Sequence, residues 1–133
     1  MTIKGVLWRF ALAYTAALFA VGYAAVLLGF ERGTGLNIAV LAGCVFWVCG
    51  AFGKANGRYF TSREKAAVVA GLLLVDVALQ FLGSFAVLSQ KSAAVSSDAL
   101  LFAMIFVGLL HAVGIYFFVG AAERFAVKQG TRG

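Results

Sequence analysis

Four long apolar runs, at about 10–30, 36–52, 66–88 and 99–122, alternate with short polar segments that hold nearly all of the charge. About 20 residues at about 1.5 Å per residue cover the roughly 30 Å of hydrocarbon in a bilayer, so each run has the length needed to cross. Within the runs, small and polar residues return at steps of three and four, which is the period of a helix. Helices also satisfy their own backbone where no water is present. The pattern predicts an all-α integral membrane protein, one domain over residues 1–133, in which four helices pack as two antiparallel hairpins.

The third run, AAVVAGLLLVDVALQFLGSFAVL, contains one acid, Asp76. A carboxyl near the bilayer centre costs about 2.5–3.5 kcal/mol on insertion scales, so Asp76 is expected to face the protein interior and find a partner. On a helical wheel Gln80, Gly83 and Ser84 fall on its side, and Leu74, Ala78, Phe81 and Phe85 fall opposite. The fourth run holds the single histidine, His111, 12 positions before Glu123, while Asp76 lies 11 after Lys65. On antiparallel helices the two residues therefore sit at nearly the same depth. Asp76, Gln80 and His111 form a candidate intramembrane polar cluster, with Tyr14 or Tyr23 available to complete its bonds. Such a cluster could clasp helices, each bond contributing on the order of 0.6–2 kcal/mol. It could equally relay protons, because both groups titrate.

Small residues recur along the other spans. Ala11, Thr15, Leu18, Gly22, Ala25 and Gly29 follow one another in span 1, Ala39, Gly43, Trp47 and Gly50 in span 2, and Gly108 and Gly114 flank His111 in span 4. Small side chains let helices approach closely in lipid, so Gly22, Gly29, Gly43, Gly50, Gly108 and Gly114 are expected at helix contacts. Trp47 is expected to fill the space that the span 2 glycines leave.

Composition strengthens the membrane reading: 63% hydrophobic and 12% charged residues exclude an ordinary soluble globule. The net charge of +6 would suit a nucleic-acid partner, but its distribution argues against one. Nine cations fall on one side of the four runs: Lys4 and Arg9, then Lys54, Arg58, Arg63 and Lys65, then Arg124, Lys128 and Arg132. Arg32 and Lys91 fall on the other. By the positive-inside rule both termini and the basic loop 54–65 are expected in the cytoplasm, against the anionic inner leaflet of a bacterial inner membrane. Lys4 and Arg9 resemble a signal-peptide n-region, but the run after them is too long for one, and a retained helix is expected.

Chemistry is sparse. Cys44 and Cys49 point apart on one helix and cannot pair within it, and no Cys/His cluster suggests a metal. Gly33 and Gly35 lack the strand and lysine of a phosphate loop, and no nucleophile motif surrounds Ser96 and Ser97. The reading is therefore a protein without enzymatic activity or cofactor. Thr61 and Glu64 read as a capping box starting helix 3 near Ser62, and Ser96, Ser97 and Asp98 as N-caps for helix 4. Arg58, Tyr59 and Phe60 would lie along the headgroups.

In layout, and in the basic loop Gly-Arg-Tyr-Phe-Thr-Ser-Arg-Glu-Lys from Gly57 to Lys65, the chain resembles a family of small, uncharacterised four-span inner-membrane proteins of Gram-negative bacteria. Some proteins of this appearance look like immunity proteins encoded beside membrane-targeting toxins. The resemblance implies a protein that works by contact with a toxin or another membrane protein, as a monomer or a homo-oligomer. Similarity to the small multidrug exporters is of size only: those carry a glutamate in their first span, and span 1 here has no acid. A small proton-coupled transporter using Asp76 and His111, and an assembly or scaffold subunit, are the alternatives.

Overall fold

Three of the four helices run beyond both ends of their apolar stretches, and the first starts before its stretch but ends within it at Leu27. In a computed structural model, which describes residues 1–29, 34–90 and 97–130, α1 spans Ile3–Leu27, α2 Thr34–Asn56, α3 Ser62–Gln90 and α4 Ser97–Gly130. The Gly-rich turn at 31–33, the segment 91–96 with the N-cap expected at Ser96, and Arg132 lie outside the described residues. Thr2 caps α1, its hydroxyl accepting from the Gly5 N–H at 3.2 Å. The Thr61–Glu64 capping box starts α3: the Thr61 N–H donates to Glu64 Oε2 at 2.9 Å and the Glu64 N–H to Thr61 Oγ1 at 3.4 Å. All four helices are long and apolar enough to cross a membrane, and the chain is a multi-pass membrane protein.

α1 packs on α2 and α3, and α4 packs on α2 and α3. Going round the bundle the order is therefore α1, α2, α4, α3. The helices joined by the basic loop, α2 and α3, lie on a diagonal. The hairpins are antiparallel: the Met1 amino group donates to Asn56 Oδ1 at 2.7 Å, bringing the start of α1 to the end of α2. Lys65 Nζ donates to Glu123 Oε2 at 3.0 Å, which does the same for α3 and α4. These contacts gather one set of helix ends into a basic end of the bundle.

The core is denser toward that basic end. Val6, Phe10 and Tyr14 of α1 meet Leu41, Val45, Val48 and Phe52 of α2, Val68 and Leu72 of α3, and Ile115 and Val119 of α4. Their spacings of three and four residues keep each set on one face. Toward the other end the large side chains turn outward, among them Phe19, Leu36, Phe81, Phe85, Phe102 and Phe106. Lipid is the solvent for this half.

α1 meets its neighbours through Val6, Phe10 and Tyr14, and of the stripe expected on it Leu18 packs against the core, Ala25 is buried and Gly22 is half-buried. Several other packing expectations are corrected. Gly29 ends α1: its φ of +68° is the left-handed conformation of a C-terminal cap, and its N–H donates to the Val26 carbonyl at 3.4 Å. Gly43 and Gly50 have open space where a side chain would start, and Trp47, 56% exposed, points out of the bundle instead of filling a gap. Gly108 stands at van der Waals distance from Val77 of α3, and a Cβ on Gly114 would touch only Phe118 of its own helix. The tight approach is at Gly71, where a Cβ would lie 2.6 Å and 2.7 Å from the Leu7 methyls of α1. Tyr59 and Phe60 also turn inward: Phe60 stacks on Phe52 at 4.1 Å between centroids, and the Tyr59 hydroxyl donates to the Val119 carbonyl at 2.6 Å.

Two glycines should thus respond in opposite ways. Gly71→Ala must displace the methyls of the half-buried Leu7 and should destabilise by up to about 1 kcal/mol, with Leu7→Ala in the same chain recovering the loss. Gly43→Leu should leave thermal melting in detergent unchanged. Equal melting shifts at the two positions would contradict this packing.

Candidate functional site: a polar layer inside the bundle

Asp76, on α3, is fully buried, and three side chains converge on its carboxyl group. From α1 the Tyr14 hydroxyl donates to Oδ1 at 2.8 Å. One turn further along α3, Gln80 Nε2 donates to Oδ2 at 2.7 Å. From α4, His111 Nδ1 lies 2.8 Å from Oδ2, with the imidazole only 2% exposed. Asp76 and His111 lie at matching depths on antiparallel neighbours, and Tyr14 reaches Asp76 because α1 is the other neighbour of α3. Phe10 stacks on Tyr14 at 5.1 Å and fixes the plane of its ring. Tyr23, the other tyrosine considered for this cluster, is exposed.

The tautomer of His111 decides which bonds of the layer form. His111 Nε2 is buried without a partner. With the proton on Nδ1, the imidazole donates to Asp76 and leaves only a lone pair stranded at Nε2. The opposite tautomer would strand an N–H and present a lone pair to an acceptor. Gln80 Nε2 also lies 2.7 Å from His111 Nδ1, a contact that a lone pair on Nδ1 would accept and a proton there would oppose, so with the proton on Nδ1 the Gln80 N–H must turn to Asp76 alone. Asp76 is thus a triple acceptor shared by α1, α3 and α4. The three groups need no lipid or water to complete Asp76, which is how a carboxyl becomes tolerable at this depth.

The charged residues of the basic loop are arranged separately. Arg58 forms a two-pronged pair with Glu64, at 2.7 Å and 2.9 Å, and donates to the Tyr59 carbonyl at 3.1 Å. Its guanidinium lies 5.7 Å from the centre of the Phe52 ring. Lys65 pairs with Glu123, whereas Lys54 and Arg63 are exposed. The sequence leaves Tyr14 and Tyr23 as equal candidates and places Tyr59 and Phe60 at the headgroups, because the inward role of each depends on which helices are neighbours. One signal existed: Val6, Phe10 and Tyr14 recur at four-residue steps, marking one inward face.

Comparison with protein-family models, with curated proteins and with solved structures finds no match to this chain.

Substitutions rank the bonds of the layer. Tyr14→Phe should cost about 1–3 kcal/mol, because it removes one donor from a buried acceptor. Asp76→Asn should cost less than Asp76→Leu: an amide still accepts from Tyr14, and its NH2 can face a flipped Gln80 and the other histidine tautomer. Melting of the purified variants measures the order, and a leucine variant as stable as the asparagine one would refute the network.

Proposed function

We propose that this is a non-enzymatic protein of the bacterial inner membrane that acts by binding another membrane protein, with both termini in the cytoplasm. The supporting observation is the outward face of α2, where Ala39 and Gly43 leave a shallow strip not used inside the bundle. In lipid, a helix of a partner gains close packing against such a strip. The polar layer acts in this reading as a clasp, since its bonds are made among its own residues. An immunity protein that engages a membrane-targeting toxin is the particular role implied by the resemblance of the basic loop.

A second reading, proton-coupled transport, has one observation in its favour: the unpartnered Nε2 of His111, a buried site where a proton could be taken up. Asp76→Asn separates the two. An amide keeps the clasp but cannot titrate, so the variant should keep its activity, measured as protection of cells against the toxin or as retention of the partner. A folded but inactive Asp76→Asn protein would favour transport.

Affinity purification from native membranes tests the main reading. A single membrane protein should co-purify with the wild type and be lost with Gly43→Leu, although that variant folds; retention of the partner by Gly43→Leu would count against this face. Recovery of further copies of the same chain alone would indicate a homo-oligomer. Reporter fusions at Gly35, Gly57, Ser92 and Gly133 should read outside, inside, outside and inside.

A further inference from the structure

A groove of about 870 Å³ opens between α2 and α4 at the basic end. Its walls are Phe46 and Trp47, one face of Gly50, and Phe125 from α4, with Lys54 and Arg58 at the mouth. We infer that this groove is a binding site for one anionic phospholipid, its phosphate held by Lys54 and Arg58 and an acyl chain lying along the aromatic walls.

Shape, position and charge each support that occupant. Phe46 lies eight residues along α2 from Lys54, about 12 Å at the rise of a helix, so the apolar wall runs inward from the cationic mouth in the direction of an acyl chain. The missing side chain of Gly50 makes the depression; a Cβ there would meet nothing within 4 Å. Lys54 is exposed and enters none of the ion pairs formed among the described residues, leaving its charge for a ligand. Arg58 is held in place by Glu64 and the Tyr59 carbonyl, which take three of its five N–H groups and leave two to donate. A partner helix would suit the apolar wall as well, but it would cover Lys54 without neutralising it unless it carried an acid at that level. A phosphodiester meets both requirements, and lipid is always present around a transmembrane helix. The site lies further along the same stripe of α2, toward the basic end from Ala39 and Gly43, and does not depend on the function proposed there.

The test uses Trp47 as reporter. The chain has two tryptophans, so Trp8→Phe leaves Trp47 alone. This protein is placed in phosphatidylcholine vesicles with the same small fraction of chain-brominated lipid, bearing either a phosphatidylglycerol or a phosphatidylcholine headgroup, and quenching of Trp47 is compared. One cation at a headgroup corresponds to about fivefold enrichment of the anionic lipid, so phosphatidylglycerol should quench at a correspondingly lower fraction. Lys54→Gln should reduce the difference between headgroups to the part that Arg58 alone can hold, and Gly50→Leu should fill the groove and reduce quenching by both lipids. Equal quenching by the two lipids, or a preference undiminished by Lys54→Gln, would overturn the site. So would quenching by neither lipid, the result expected if a protein fills the groove. Lys54 is exposed, so its variant remains informative even where Gly50→Leu fails to fold.

Discussion

A carboxyl group in hydrocarbon must have its hydrogen bonds supplied by protein, and the arrangement of this bundle follows from meeting that requirement at Asp76. The donors come from three helices: Tyr14 from α1, Gln80 from α3 itself and His111 from α4. This requires α3 to have both α1 and α4 as neighbours, and therefore places α2 diagonally opposite α3 even though the two are joined by a short loop. α2 brings Leu41, Val45, Val48 and Phe52 to the core and no side chain to the polar layer. Polar bonding thus accounts for the placing of three helices, and apolar packing for the fourth.

The same layer divides two kinds of packing. On the basic side of Tyr14, Asp76 and His111 the side chains interlock, with Phe52 stacked on Phe60 and Tyr59 tied to the α4 backbone. Beyond it the large residues face lipid. Hydrophobic driving force between helices is absent in a bilayer, so the tight half relies on shape, as at Gly71 and Leu7, and on a few directed bonds at its boundary.

The sequence carried the four helices, their approximate extents, the capping box and the shared depth of Asp76 and His111, because each of these is a property of one helix or of a short count along two. It did not carry helix adjacency, and most of the misplaced residues trace to that. Gly43, Trp47 and Gly50 form a stripe of the expected kind, but nothing within α2 tells whether the stripe faces a sister helix or lipid. Gly71 sat unremarked among leucines and valines because its importance lies in Leu7 opposite. Gly29 was counted with the packing residues although its position at the end of the run is equally that of a helix-ending glycine; only its φ decides. Tyr14 was one of two candidates until the α1–α3 contact selected it.

The division of the polar layer among α1, α3 and α4 has a consequence for biogenesis. A chain made from its N-terminus delivers Tyr14 to the membrane first, Asp76 second and His111 last. The acid therefore enters when α1 already offers it a phenolic hydroxyl, and Gln80 arrives on the same helix one turn behind. The histidine, which would otherwise have to find a partner alone, meets an acceptor already in place. The order in which the helices are synthesised is thus one in which neither ionisable side chain of the layer has to enter the bilayer unaccompanied.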